Sequence, residues 1–411
     1  MHIAVISVGT MGHVLPTLPF VAELKRRGAR VTYFTAENLR AKVIFAGADF
    51  VPFDSLLTKP EAQKNILNDI IAELPLRFLS EADHVIKQIL PVLENDRPDA
   101  ILYDTIAIAG RLAAKALGVP AIQIYTSYAP NAKFSISRTW PSVPDEHPAR
   151  VAANKLAEEF TAKYDVPHLD IFEIFEGAAE LNIVLLQRAF HPAGDAFDNR
   201  YVFTGAQIAP RDNSGTWEAP AGDKPLIFSS LGTMFNNWPE FYVMLFDAVR
   251  DLPVNVAAAI GATIRSESLG TIPKNVTIAS YLPQLDVLAK ASVFITHGGT
   301  GSAMESIWFG VPMISIPQMP EQMMTAMRVE ELGLGKAFPN KNQVTSASLR
   351  TAIQEILNNN SYRNQVAYFQ KDMKSSGGYE LTANTNLEFL QSKKNRKTAS
   401  APRPRQQPAP V

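Results

Sequence analysis

The chain has 411 residues, 46% hydrophobic and 19% charged, with 39 Lys or Arg against 40 Asp or Glu and a net charge of -1. That length suits two domains with full apolar cores, and the near-neutral balance argues against nucleic acid as the main partner, since phosphate backbones demand a basic surface. The absence of cysteine excludes a disulfide framework, thiolate catalysis and Cys-ligated zinc.

Met1 to Val8 is a short apolar run without a basic n-region or a small-residue cleavage site, so no signal peptide is expected. No window approaches the roughly 20 uninterrupted apolar residues of a membrane helix, and a soluble cytoplasmic protein is expected. Ile3 to Val8 reads as a buried strand ended by Gly9, Leu15 to Arg27 as a helix ended by Gly28, and Arg30 to Thr35 as a second strand. Strand, helix, strand in that compass is a βαβ unit and implies a parallel sheet. The pattern returns in the strand Ala100 to Tyr103, the helix Ala107 to Leu117 before Gly118, and the strands Pro120 to Tyr125 and Leu181 to Leu186.

Residues 206–225, rich in Pro, Gly, Asp and Asn, read as a linker between an N-terminal domain, 1–205, and a C-terminal one, 226–375. After the linker the strands are Leu226 to Ser230, Asn255 to Ile260, Val276 to Ala279, Val293 to Thr296 and Met313 to Ile316. The helices between them are Glu240 to Asp251, Asp286 to Lys290 and Gly301 to Phe309. A helix over 376–392 is expected to pack back on the N-terminal domain. Residues 393–411, with six Lys or Arg, no acid and several prolines, are expected to be a disordered tail. The fold class is α/β, in two halves.

The strongest chemical signal is His297-Gly298-Gly299-Thr300-Gly301-Ser302-Ala303-Met304-Glu305, which follows a strand and opens a helix. A glycine-rich turn at a helix N-terminus offers backbone N–H groups to an anion, and the helix dipole assists. His297 is placed to donate to a phosphate oxygen, and Glu305, one turn in, to accept from ribose hydroxyls. Upstream, Tyr281 and Gln284 suit stacking on a base and recognition of its edge. Downstream, Glu321 and Gln322 place a carboxylate and an amide side by side, a pair suited to holding a sugar's hydroxyls. Each feature alone also has a plainer reading, as a capped turn, loop packing or exposed polar surface.

Taken in order, Tyr281-Leu282-Pro283-Gln284, the segment from His297 to Glu305, Gly310-Val311-Pro312 and Pro317-Gln318-Met319-Pro320-Glu321-Gln322 resemble the donor-binding signature of family 1 glycosyltransferases. The bacterial macrolide and flavonoid glucosyltransferase branch is the most similar. The resemblance implies the GT-B fold, two Rossmann-like domains facing each other across a cleft, and an inverting transfer of a hexose, glucose first, from a UDP-sugar to a hydroxyl of a small hydrophobic acceptor. It implies that Tyr281 stacks on uracil and Gln284 contacts uracil or ribose. His297, Gly299 and the Gly301 and Ser302 N–H groups would hold the diphosphate, with Ser230, Gly232 and Thr233 touching it from the opposite loop. Glu305 would take the ribose, and Glu321 and Gln322 the sugar. Many relatives carry Asn where this chain has Gly301, which leaves the identity of the sugar open.

By the same resemblance, the catalytic base is His13, in the loop Gly9-Thr10-Met11-Gly12-His13-Val14-Leu15-Pro16. Imidazole suits that task, since a hydroxyl attacks poorly until its proton is taken. Asp104, at the end of the Ala100 to Tyr103 strand, would orient the imidazole, although an Asp there also suits a helix cap. The glycines around Gly12 lack dinucleotide-fingerprint spacing, which counts against a nicotinamide enzyme. Tyr125, Tyr128, Phe134 and Trp140, with Met11 and Met319, are the expected acceptor-binding residues, and helical stretches near 61–94 are expected to close over them. No metal and no cofactor are expected, the UDP-sugar being a co-substrate. The protein is expected to be a monomer or weak dimer. A non-catalytic sugar-nucleotide-binding partner protein is the alternative reading.

Overall fold

The computed structural model describes residues 1–57, 67–169, 174, 176–209, 217–233 and 236–400, the side chains of 67–70 and 397–400 aside. Thirteen strands among these residues form two sheets. The first holds β1 (His2–Ile6), β2 (Arg30–Thr35), β3 (Asp49–Pro52), β4 (Ala100–Asp104), β5 (Ala121–Tyr125), β6 (Leu181–Val184) and β7 (Tyr201–Phe203). Its order is β3-β2-β1-β4-β5-β6-β7. The second holds β8 (Leu226–Ser230), β9 (Asn255–Ala259), β10 (Val276–Ala279), β11 (Val293–Thr296), β12 (Met313–Ser315) and β13 (Gly335–Ala337), in the order β10-β9-β8-β11-β12-β13. Every pairing is parallel.

The near-continuous apolar strands follow from burial on both faces. In β1 the alternation is direct. Ala4 and Ile6 enter a core beneath the helices Leu67–Asn95, Ile108–Leu117 and Pro148–Tyr164, while Ile3 and Val5 join the core under Leu18–Arg26. In each sheet the strand order reverses once, between β1 and β4 and between β8 and β11. Such a reversal parts the flanking loops and opens a crevice at the carboxyl ends of the strands. His13 and Asp104 lie past the first reversal, and His297 to Glu305 past the second.

Four expectations change. The chain after β1 turns helical at Met11, not Leu15: Met11–Val14 form a helical turn, Leu15–Thr17 a 3-10 turn and Leu18–Arg26 a helix. Pro16 and Pro19 lack the N–H that a continuous helix needs, yet suit first turns, so the segment breaks into short pieces. His13 therefore sits on a helical turn and not in an open loop. The linker is also shorter at its start. Ala206 and Gln207 are buried, with Gln207 Nε2 donating to Thr204 Oγ1 at 3.1 Å and accepting at Oε1 from Thr382 Oγ1 at 3.2 Å. Residues 210–216 lie outside the described residues.

The tail is ordered further than its composition suggests. A helix runs Gly378–Ser400, because Lys, Arg, Asn and Ser carry no helix break and the first proline of the tail is Pro402. Lys393 bonds Glu180. The rest of the expected disordered tail, 401–411, lies outside the described residues. Finally, β3, β7 and β13, short and half-exposed in places, are strands the sequence reading passed over.

The C-terminal helix packs against the N-terminal half. Ala383 and Leu390 are buried with Phe20, Val21, Leu24, Leu181 and Ile183. The chain thus crosses between halves twice, past Thr204-Gly205 and again at Gly377-Gly378. The two crossings touch: Gly378 N–H donates to the Thr204 carbonyl at 3.0 Å. Gly205 and Gly377 both adopt positive φ, 71° and 84°, and a Cβ on Gly205 would stand 2.8 Å from Met373 Sδ.

Candidate active site

β1 and β4 are neighbours, with Ile6 paired to Tyr103. That register brings the turn after β1 and the last residue of β4 to one edge. There His13 Nδ1 meets Asp104 Oδ2 at 2.7 Å. Asp104 is 2% exposed, and its second oxygen, Oδ1, accepts from the Ile106 N–H at 3.0 Å. So Asp104 does cap the next turn, and it holds the imidazole as well. The His13 side chain keeps 30% of its surface open. Burial works against charging His13, but the Asp104 carboxylate, through charge and hydrogen bond, and Glu321 outweigh it and hold the imidazole pKa above 6.5.

Across from this pair stands the second sheet's edge. Thr300 opens the helix Thr300–Phe309 after the extended Gly299. Its first turn carries Gly301 and Ser302, with N–H groups at the positive end of the helix dipole. The His297 ring lies against two glycines. A Cβ on Gly232 would come within 2.7 Å of His297 Cε1, and one on Gly299 within 2.6 Å of Nε2. Gly232, at φ +82°, is held by Asn236 Nδ2, which donates to its carbonyl at 2.8 Å, and its N–H reaches Ser230 Oγ at 3.4 Å. Thr233 beside it is exposed. Burial lowers the His297 pKa to about 4, against a hydrogen bond to the Ser230 backbone, so the ring is neutral at pH 7.

Gln284, Ser302 and Glu305 form one polar group. Gln284 Nε2 donates to Glu305 Oε2 at 2.6 Å and to Ser302 Oγ at 3.2 Å. Tyr281, just before them, is 50% exposed. A Cβ on Gly301 would meet nothing within 4 Å, so the space above this position is open. Gln322 is buried, its Oε1 accepting from the Gln318 N–H at 2.8 Å. Glu321 projects toward the N-terminal half. Burial raises its carboxyl above 4.5, while hydrogen bonds from Thr300 and Ser127 and the charge of His13 pull the other way.

The two edges are joined by the segment Thr126-Ser127-Tyr128, of which the sequence reading singled out only Tyr128, as an acceptor aromatic. Directly after β5, the Thr126 carbonyl accepts from Thr300 Oγ1 at 3.0 Å, Ser127 Oγ donates to Glu321 Oε1 at 3.2 Å, and Tyr128 OH donates to Thr325 Oγ1 at 3.2 Å. A hydroxyl-rich Thr-Ser pair at the same sheet edge as Asp104 was the available signal. It passed unread because such pairs also end strands for local reasons.

The expected acceptor aromatics divide. Tyr125 is buried, its OH donating to the Gly177 carbonyl at 3.2 Å and its ring 6.3 Å from Tyr201. Tyr128 is buried against Phe190 and His191. Both spend their surface on packing, which corrects the expectation that they line an acceptor pocket. Phe134, half-buried, lines a cavity of about 390 Å³ with Lys133, Arg188 and Arg328. That cavity's lining contains neither His13 nor Asp104. Trp140, Met11 and Met319 remain half-buried and do not line that cavity. The helix near 61–94 is Leu67–Asn95, and 58–66 lie outside the described residues. Among the described residues no group of three or more His, Asp or Glu is arranged to hold a metal ion, and no helix is long and apolar enough to cross a membrane.

Comparison with known proteins bears on this geometry. Residues 243–380 match the family model "Erythromycin biosynthesis protein CIII-like, C-terminal domain". The chain is 38% identical to the NDP-glycosyltransferase YjiC of Bacillus licheniformis, over 95% of this chain and 98% of that one. It is 28% identical to an oleandomycin glycosyltransferase of Streptomyces antibioticus, over 98% and 94%. Among solved structures, the calicheamicin glycosyltransferase CalG4 superposes with a TM-score of 0.83 at 32% identity, covering 98% of this chain and 99% of that one. With paired parallel sheets, a donor-type glycine turn and likeness over nearly its whole length, the chain belongs to the family 1 glycosyltransferases of GT-B fold, in the bacterial macrolide and flavonoid branch, and is an enzyme that transfers sugar.

Proposed function

We propose that the enzyme transfers a hexose, glucose first, from a UDP-sugar to a hydroxyl of a small hydrophobic acceptor such as a flavonoid, polyketide or macrolide, with inversion at the anomeric carbon. The observation that carries this reading is the 2.7 Å contact between His13 and the buried Asp104, set across the cleft from the glycine turn. His13 Nε2 takes the acceptor's proton as its oxygen attacks the face opposite the diphosphate. Asp104 keeps the proton on Nδ1 and stabilises the imidazolium that forms.

The donor lies along the second edge. Tyr281 stacks on the base, Gln284 contacts base or ribose, and Glu305 takes the ribose hydroxyls. The N–H groups of Gly299, Gly301 and Ser302, with His297 and with Ser230, Gly232 and Thr233 opposite, stabilise the leaving diphosphate without a metal. Glu321 and Gln322 hold the sugar hydroxyls. Met11, Trp140 and Met319 border the acceptor space. No bound cofactor enters the reaction, and the protein works in the cytoplasm as a monomer or weak dimer.

The test is to incubate the protein with UDP-glucose and a panel of phenolic acceptors and to measure product mass. A gain of one hexose on an acceptor supports the reading. UDP-glucose binding with no transfer to any acceptor of the panel overturns the acceptor class proposed here.

A further inference from the structure

We propose that Thr126 is a positioning residue for transfer: its hydroxyl completes a three-way polar contact with His13 and Asp104, and its carbonyl ties that hydroxyl to the helix that opens the donor site. The proposal rests on His13 acting as the base.

The geometry is specific. Thr126 Oγ1 stands 3.2 Å from His13 Nδ1 and 3.5 Å from Asp104 Oδ2. Asp104 Oδ1 is already taken by the Ile106 N–H, so Oδ2 is shared between the imidazole and the threonine hydroxyl. A hydroxyl donating to Oδ2 stabilises the carboxylate and weakens its pull on the Nδ1 proton. The proton then stays on Nδ1, and Nε2 keeps the lone pair that the reaction needs. Without the hydroxyl, the carboxylate holds the imidazolium more tightly, and less of the imidazole is unprotonated and free to act near neutral pH.

Thr126 is buried, and its backbone is anchored across the cleft by Thr300 Oγ1. Ser127 and Tyr128 add their own bonds to Glu321 and Thr325. A side-chain change at 126 therefore leaves the segment in place. Threonine at a strand end is ordinarily packing, and in that case the isosteric valine would serve as well.

The test compares wild type, T126V, T126S and H13A with UDP-glucose and one acceptor glucosylated in the mass screen. For T126V, kcat at pH 7 should fall up to about threefold, the KM for UDP-glucose should change less than about twofold, and the acid limb of the rate profile should move up by roughly half a pH unit. T126S should restore all three, and UDP titration should report an intact donor site in T126V. Two results overturn the proposal: T126V rates and acid limb matching wild type, or a loss confined to donor KM with the limb unmoved, which assigns Thr126 to sugar contact. Retained activity in H13A sinks the underlying reading instead, whatever T126V does.

Discussion

Ser127 Oγ of the N-terminal half donates a hydrogen bond to Glu321 Oε1 of the C-terminal half at 3.2 Å. Glu321 is also one of the groups that hold the His13 pKa up. The residue proposed to hold the sugar thus acts electrostatically on the imidazole proposed as the base in the other half. E321Q keeps an acceptor for Ser127 and removes the charge. Its acid limb should shift to lower pH, since one support for the imidazolium is gone, while the KM for UDP-glucose rises several-fold. Rate–pH profiles of the two proteins decide it; an unmoved limb would show that Glu321 does not reach His13 in the working enzyme.

Replacing His13 with alanine removes the group proposed to accept the hydroxyl proton. O-transfer should fall by at least about 10³-fold, with UDP binding by calorimetry nearly unchanged because the donor contacts lie on the other sheet.

For Asp104 the sign is opposite to that for Thr126. With D104N the carboxylate that raises the His13 pKa is lost, and burial, which lowers it, is left less opposed. The acid limb should move down while kcat falls by roughly 10²–10⁴-fold, because the amide no longer fixes the Nδ1–H tautomer. A kcat loss without the downward shift would assign Asp104 to capping Ile106 alone.

The open space at Gly301 admits a side chain. G301N should fold with a melting temperature no lower than wild type, since glycine is a poor helix residue. A new hydrogen bond to the donor, worth about 1 kcal/mol, should lower the KM for UDP-glucose several-fold. Titrations with UDP-glucose and UDP-GlcNAc test whether this position also ranks the sugars.

Leu390, buried against the helix Leu18–Arg26 and the first sheet, tests the returning helix. L390A should cost about 2–5 kcal/mol, seen as a lowered thermal midpoint. A midpoint unchanged from wild type would mean that the helix is not part of the N-terminal fold.

Much of the architecture was legible because parallel strands buried on both faces announce themselves as apolar runs, and glycines such as Gly118 mark where helices stop. His13 and Asp104 were legible only as separate residues; the register of β1 on β4 makes them a pair, and no local pattern carries a register. Tyr125 and Tyr128 misled because an aromatic side chain after a strand reads alike whether it packs or lines a pocket. Thr126 escaped notice for a related reason: its partners lie 113, 22 and 174 positions away. The helical turn at Met11 was masked by prolines, which signal a break without saying on which side the helix begins.

The two chain crossings, bonded to each other through Gly378 and Thr204, have a mechanical meaning. A domain hung on one tether can twist and slide; a domain hung on two adjacent tethers swings about the line they share. Any opening of the cleft would therefore swing His13 away from the glycine turn about that line. The angle at which the two edges meet would then be set by the paired crossings, the spine of the molecule.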